Sequence, residues 1–540
     1  MNRQQMLEQL QTKPHTFDVI VIGGGITGAG VAREAAGSGL KTLLVEQKDF
    51  AWGTSSRSSK MVHGGLRYLA SGHFGLTRDA LRERERLMRE APGLVEPLPF
   101  LMPHYKGAFP GPRVFQILLR LYDRLAGIRS RGQLTAAETG QWAPGLNSKH
   151  LLATSRFTDA VTDDARLVQR LIREASLAGA WCLNYVAADT LERDQDGRVT
   201  GVRLCPETAP ESSGDEPGLT VHCQHIINAT GVWADRLQKQ VNTNNHLTLR
   251  PLRGSHLMIP WHKLPVTCAV SLMHPSDKRP VFAFPWAGAT VLGTTDLEHA
   301  SDLNQEPAIT SAEVDYLLQI AGRLFPTAGI EPHDILSTWA GVRPVVTDGS
   351  SKTPSRENRE HAVCEDHGLI SIAGGKLTTF RPMARQALTL ALGKGAADKL
   401  RADIAPVFTP GPVSARPRGI PAITWQRLQG YYGADLPALL SQADTNTVAN
   451  TSVLWAEILW ACQQEQVEHL DDLMLRRTRL GLVLPNGGSE TLPHIRERCQ
   501  ALLGWSDGRW DQEQARYLAL HRKAYQLPAA DFQPGDTLRG

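Results

Sequence analysis

Phe17 to Glu46 carries the most ordered alternation of apolar and polar positions in the chain. FDVIVI is the near-continuous apolar run that a parallel strand covered on both faces requires. The residues from Ile26 to about Ser38 are crowded with Ala and Gly, which lets a helix lie close against a sheet. Lys41 to Val45 repeats the strand pattern and ends at Glu46. TRDALRERERLMREA, Thr77 to Ala91, predicts a helix capped by Thr77 with its Arg and Glu on a solvated face. VFQILLRLYDRLAGIR, within Leu101 to Arg131, is amphipathic. It reads either as a helix packed on its own domain or as one that sets its apolar residues with Arg113, Arg120, Arg124 and Arg129 into an anionic membrane interface.

Farther along, Asp163 and Asp164 open a helix with Leu167, Val168, Leu171, Ile172 and Ala175 on one face, and both acids, favoured by the helix dipole, read as capping rather than catalytic. Trp181 to Leu204 alternates like strands and turns at Asp196-Gly197, a hairpin signal. HIIN then forms an apolar strand stopping at Ala229-Thr230-Gly231. Between Leu247 and Val345 the short segments SHLMIP, VFAFPW, ATVLGTTD and STWAGVRP predict a mixed antiparallel sheet with one helix near Ser311 to Phe325. LISIAGGK is another strand, ending in Gly374, Gly375 and Lys376, and Leu377 and Thr378 lead into a helix. The chain thereby returns to its first domain. A proline-rich linker, Pro406 to Pro417, precedes a mostly helical remainder.

A chain of 540 residues requires two or three domains. The predicted organisation is discontinuous: 17–85, 150–245 and 350–400 form one α/β domain, 86–149 and 246–349 a substrate-binding layer, and 401–540 a helical domain. A net charge of +3 is too small to imply nucleic acid as a partner, and it suits an anionic substrate or membrane surface. Seven scattered cysteines without CxxC spacing predict neither a metal site nor a disulfide framework. The N-terminal stretch lacks the apolar core of a signal peptide, and no run approaches the roughly 20 apolar residues of a membrane span. A cytoplasmic protein is expected.

The chemistry begins at Gly23-Gly24-Gly25-Ile26-Thr27-Gly28. The first Gly permits a tight turn, the second lets backbone approach a pyrophosphate, and the third allows close helix packing, while the helix N-terminus offers free N–H groups. Glu46 stands where ribose hydroxyls are bound, so the unit predicts dinucleotide binding. The loop Thr54 to Tyr68 is rich in hydroxyls, glycines and cationic side chains and leaves the carboxyl end of the second strand, where ligands of this fold sit. It offers Thr54, Ser55, Ser58, Ser59 and Lys60 to a cofactor, and His63 and Arg67 to a reacting centre.

The blocks VIGGGITGAG, GTSSRSSKMVHGGLRYL, VTDDARLV, NATGVWAD, RGSHLMIP, LGTTDLE, GVRPV, SIAGGKLTTFRPMA and DDLMLRRTRL occur in order from about Phe17 to Leu480. Together they closely resemble the FAD-dependent glycerol-3-phosphate dehydrogenases, which reduce membrane quinone. The resemblance implies a discontinuous Rossmann-type FAD domain of the D-amino-acid-oxidase kind, an antiparallel-sheet substrate domain and a C-terminal α-helical cap. It assigns FAD to Gly23, Gly24, Gly25, Ile26, Thr27, Gly28, Glu46, Thr54 to Lys60, Gly231, Gly374, Gly375, Lys376, Leu377 and Thr378. It assigns the substrate, sn-glycerol 3-phosphate, to His63, Arg67, Tyr68, His256, Thr295, Asp296, Arg343 and Lys376, with Arg359 favoured over Arg356 as a further phosphate ligand. His63, His256, Arg343 and Lys376 are the expected catalytic set, and both histidines suit the role of base. Peripheral attachment to the inner, cytoplasmic membrane is implied, and a homodimer is compatible with it. An oxygen-using glycerol-3-phosphate oxidase would share this site. A flavin-binding scaffold without turnover would not need these residues together.

Overall fold

The computed structural model describes residues 1–66, 69, 72, 74–207, 218–241, 247–347, 361–393, 400, 402, 405–411, 415–441 and 444–528. Strand Thr16–Ile22 is buried from Val19 onward, and Thr42–Val45 and Leu369–Ala373 are buried along their whole length, as strands covered on both faces must be. Five strands pair in parallel in the spatial order Trp181–Leu183, Thr42–Val45, Thr16–Ile22, Leu219–Asn228, Leu369–Ala373. In chain order that is 3-2-1-4-5, which reverses direction between the first and fourth strands and opens a crevice at their carboxyl ends. The predicted hairpin at Gly197 joins Val186–Arg193 to Val199–Pro206, antiparallel at this sheet's margin.

Helix Ile26–Gly37 is buried over nearly all its length, against helices Asp164–Leu177 and Phe380–Leu392. A Cβ on its Gly30 would stand 2.7 Å from the Phe380 ring. Small residues here therefore set how closely the two helices pack, and the Ala/Gly crowding in the sequence has that physical cause.

Among the described residues a second sheet has ten strands, mostly antiparallel. Met61–Val62, emerging directly from the loop after Glu46, pairs with Leu151–Thr162, which runs beside Val95–Tyr105. Residues 151–162 thus belong to the substrate-side sheet, although the sequence reading returns the chain to the nucleotide domain at 150. Strand Leu249–Pro260 lies between Ala289–Gly293 and Ser337–Val346. The helix predicted near 311–325 is Ser311–Leu324.

Two readings of the charged helix need correction. It starts at Phe74, so Thr77 is an interior, buried residue rather than a cap. Its charges are not all solvated either, because Arg84 is buried in an ion pair with Asp159, which the spacing of polar residues alone does not reveal.

The C-terminal part is helical as expected, with a core that includes Ile458, Leu473, Met474, Ile495, Trp510 and Tyr517. The linker before it is clamped in place. Val407 and Phe408 are buried, Arg33 donates to the Val407 carbonyl at 2.9 Å, and Thr409 is bound through both N–H and hydroxyl by Glu174 at 2.8 Å.

Candidate active site

At the crevice, Gly23 has φ +112° and a Cβ there would stand 2.6 Å from the Ala229 carbonyl oxygen. A Cβ on Gly28 would stand 1.8 Å from the Gly23 carbonyl oxygen, so the first and third glycines are demanded by backbone contacts alone. The Glu46 carboxylate accepts from the Gly24 N–H at 2.7 Å and the Lys48 N–H at 2.9 Å. Burial raises its pKa, opposed by those same N–H donors. The Ser55 hydroxyl accepts from the Ile26 N–H at 2.9 Å and so ties the hydroxyl-rich loop to the helix N-terminus. Gly231 has φ +62° with open space where a Cβ would be. Gly374 and Gly375, φ +76° and +81°, turn the chain through Lys376 into the short helical turn Leu377–Thr379 and the helix beyond. These are the open backbone and the glycine cradle that a dinucleotide's pyrophosphate requires, so the residues fit such a cofactor.

Strand Ser337–Val346 closes the loop Thr54–Lys60 from the other side. Thr54 donates to the Val342 carbonyl, Trp339 Nε1 donates to the Ser58 carbonyl at 3.2 Å, and a Cβ on Gly341 would stand 2.4 Å from the Arg57 carbonyl oxygen. Arg57 itself is buried, paired with Glu306 and bound to Tyr525 near the end of the C-terminal helix. Ser58 donates through N–H and hydroxyl to Asp164, at 2.9 and 2.7 Å. The Lys60 side chain is fully buried, 2.9 Å from Asp164 and over the Trp286 and Trp339 rings at 4.7 and 4.8 Å. Burial and then Arg479 push its ammonium pKa down to about 8 against the pull of Asp164. Its side chain is thus part of the protein's interior wiring, and Lys60 can meet a cofactor only through its backbone. Asp163 caps its helix as predicted by accepting from the Arg166 N–H.

Two groups of predicted site residues come together. In the first, His256 is buried with Nε2 2.9 Å from the Ser59 hydroxyl, and its ring is stacked on Trp339 at 4.8 Å. Its Nδ1 has no partner among the described residues. Burial, with Arg343 and Lys60 nearby, holds its pKa well below the ordinary histidine value, so the ring is neutral. The close glycines make room for these groups: a Cβ on Gly293 would stand 2.2 Å from the His256 ring, and one on Gly254 would stand 2.3 Å from the Arg343 guanidinium. Arg343 donates to Asp296 and to the Thr294 hydroxyl, both at 3.1 Å. In the second group, His63 is half-buried and its N–H donates to the Thr378 hydroxyl at 3.3 Å. Ser59 and His63 flank the short strand Met61–Val62, which links the groups.

Thr295 is placed differently from the expectation of a substrate ligand. Its hydroxyl accepts from the Ser255 N–H at 2.9 Å and donates to Glu313 at 2.7 Å, which engages it within the protein. Arg67, Tyr68, Arg356 and Arg359 lie outside the described residues. The sequence reading omits Thr294, whose signal was its place beside Thr295, and gives Asp164 only a role at its helix start, although it also binds Ser58 and Lys60.

A nucleotide crevice bordered by a buried neutral imidazole and a fixed guanidinium defines an oxidoreductase with a dinucleotide cofactor. The description FAD-dependent oxidoreductase fits residues 18–381, and the C-terminal domain of alpha-glycerophosphate oxidase fits residues 372–510. The chain belongs to the FAD-dependent oxidoreductase family, within its glycerol-3-phosphate dehydrogenase branch, and its cofactor is FAD. It is 35% identical over 532 residues to glycerol-3-phosphate dehydrogenase 2 of Mycobacterium bovis, covering 93% of this chain and 88% of that one. It is 32% identical to the aerobic glycerol-3-phosphate dehydrogenase of Staphylococcus aureus, covering 86% of each. The glycerol-3-phosphate dehydrogenase from Bacillus halodurans, solved in complex with FAD, superposes with a TM-score of 0.74 at 26% identity over 97% of both chains.

Proposed function

We propose that this protein oxidises sn-glycerol 3-phosphate to dihydroxyacetone phosphate and passes the electrons to a membrane quinone. The observation that carries the reading is the pairing of a guanidinium held in a glycine cradle, Arg343, with a neutral His256 beside the loop that bears His63. FAD, held by Gly23 to Gly28, Glu46, Thr54 to Lys60, Gly231 and Gly374 to Thr378, supplies the hydride acceptor. Arg343 and Lys376 meet the phosphate dianion and the charge developing at the reacting centre, and Arg67 and Arg359 complete the cation set. A guanidinium already oriented by Asp296 and Thr294 grips phosphate oxygens without a further ordering cost. His63 takes the proton of the C2 hydroxyl. His256, sealed beneath Trp339 and bound to Ser59, orients its neighbours. His63→Ala then lowers turnover by roughly the 10²–10⁴ of a lost acid–base group, with substrate affinity nearly kept.

The quinone acceptor is what the family resemblance implies, and helix Pro112–Ala126 supports a peripheral site on the inner, cytoplasmic membrane. No helix among the described residues is long and apolar enough to cross a membrane. The outer face of this helix and the loop before it expose Phe109 (81%), Val114 (53%) and Ile117 (64%) beside Arg113, Arg120 and Arg124. Leu119, by contrast, is fully buried, so the docking face excludes it. Changing Phe109, Val114 and Ile117 to Ser abolishes sedimentation with anionic liposomes on this reading, and undiminished sedimentation refutes it.

The match to an oxidase C-terminal domain favours a second reading, oxygen as acceptor. Anaerobic mixing of the yellow protein with sn-glycerol 3-phosphate separates the two. Bleaching restored quickly by a quinone analogue and slowly by air supports the dehydrogenase. Fast recovery in air with peroxide makes it the oxidase, and no bleaching refutes the substrate.

A further inference from the structure

His63 sits where two parts of the protein pin consecutive backbone amides. Its own N–H donates to Thr378 Oγ1 at 3.3 Å, from the turn that follows Gly375. The next N–H, of Gly64, donates to Tyr122 Oη at 2.9 Å. Gly64 must lack a side chain for this contact, because a Cβ there would stand 2.5 Å from Leu81 and 2.7 Å from the Tyr122 oxygen. Tyr122 is buried on the inner face of helix Pro112–Ala126, and its hydroxyl donates in turn to Asp159 Oδ1 at 2.7 Å. Asp159 is buried and paired with Arg84, which also donates to the Thr158 carbonyl at 3.0 Å. The tyrosine oxygen thus accepts from the loop and donates to an acid that is itself locked. Its position leaves little freedom to the peptide that joins His63 to Gly64.

We infer that Tyr122 is a positioning residue for His63, fixing the imidazole through the Gly64 amide while touching no reacting atom. The inference deepens the proposed function and rests on His63 as the base. His63 follows the paired strand Met61–Val62, and the two residues after it, Gly64 and Gly65, are glycines that hold no conformation of their own. A displacement of the base by about 1 Å is enough to cost on the order of 100-fold in rate.

Tyr122→Phe tests this, because the ring keeps its packing on Phe157 and Arg84 and only the hydroxyl is lost. The variant is expected to keep its flavin and melt close to the wild type. Its kcat should fall about 10- to 100-fold with KM within about threefold. Amide hydrogen exchange gives a reading independent of turnover: the peptide across Val62–Leu66 should exchange faster, while the core of the nucleotide sheet stays protected. Asp159→Asn, which weakens the hold on the hydroxyl, should shift both readouts the same way, and the double variant should be no worse than Tyr122→Phe alone. Leu119→Ala, a buried packing change one turn earlier on the same helix, should destabilise the protein with kcat intact. Wild-type turnover and exchange in Tyr122→Phe overturn the inference, as does an equal fall of kcat in Leu119→Ala. His63→Ala separates the two levels: if it loses turnover while Tyr122→Phe does not, only the positioning role falls. If His63→Ala itself turns over normally, the reading of His63 as base falls first and the positioning role with it.

Discussion

Replacing Asp49 by Asn should unfasten the C-terminal domain from the cofactor domain. Asp49 stands three residues after Glu46 and is fully buried. Its carboxylate accepts from Arg476 Nε at 2.5 Å, from Arg477 at 2.6 and 2.8 Å, and from Asn184 at 3.0 Å. Both arginines come from the π-helical segment Asp472–Arg477 and are buried. Arg476 has Asp471 and Asp472 as further partners, but Arg477 is otherwise met mainly by the Glu465 carbonyl. The isosteric amide keeps the shape and leaves the Arg477 charge only the Glu465 carboxylate, 3.9 Å away and already paired with Arg166, as a direct partner. Breaking such a buried pair costs about 3–5 kcal/mol, which at about 2–4 °C per kcal/mol lowers the melting temperature by roughly 6 °C or more. Flavin fluorescence during heating reports the loosening, and limited proteolysis should open the segment around Val407–Thr409. Burial raises the Asp49 pKa, but Arg477 and Arg476 outweigh it and hold the group below its usual value. The stabilisation is therefore present above the unfolded value, about 3.9, and is lost as pH falls through the lower folded one. The gap between wild type and variant should close in that range. A variant that melts within about 2 °C of wild type at pH 7, with an unchanged cleavage pattern, refutes the reasoning.

The neutral state of His256 predicts that an acid limb of turnover between about pH 5 and 8 belongs to another group, so His256→Asn should lower the rate and keep the limb; loss of the limb would show that His256 titrates there. Gly28→Ala sets a methyl against backbone that has no room to yield, and the purified variant should be colourless, its flavin-to-protein absorbance ratio near zero. Thr295→Val removes a hydroxyl bonded to Ser255 and Glu313, so it should cost about 1–3 kcal/mol in thermal melts with KM largely kept, whereas a selective rise in KM would restore the substrate-ligand reading. His469, 2.7 Å from Glu513, has its pKa raised to about 9 by Glu207 and Glu513 against its burial. Its contribution, at most about 3 kcal/mol, is complete below the unfolded value near 6.5 and lost as pH rises through about 9. The stability difference from His469→Gln should shrink across that window in denaturant melts.

What was legible in the sequence follows from the range of the forces involved. The nucleotide unit was readable because each of its demands is local. Gly23 faces a carbonyl that only a glycine tolerates, Gly28 faces Gly23, and the strands signal burial in their own composition. The antiparallel sheet and the helix at Ser311 were readable for the same reason. Charges were the opposite case. Arg84, Lys60 and Arg57 look alike in a polar stretch, yet each is buried because one acid, Asp159, Asp164 or Glu306, arrives from 75, 104 or 249 residues away. No spacing rule reports such a partner. The place of strand Leu151–Thr162 was hidden for the same reason, since it is set by its pairing with Val95–Tyr105 and not by its own pattern.

The distribution of these buried pairs also bears on why the cap-like C-terminal domain exists. Arg476 and Arg477 reach Asp49 behind the second strand, Arg479 reaches Asp163 and Asp164 behind Ser58 and Lys60, and Tyr525 reaches Arg57. Two of these contacts end on the loop segments that follow Glu46, the third ends on the helix N-terminus that itself binds Ser58 and Lys60, and each uses a charged or hydroxyl group with its partner desolvated. A loop rich in Ser, Thr and Gly has no apolar content with which to hold itself. The domain supplies that rigidity from outside through ionic contacts that are strong only when docking is complete, because a partly docked guanidinium is solvated and contributes little. Variants at Asp49 or Arg477 should therefore weaken flavin retention before they disturb the sheet beneath it.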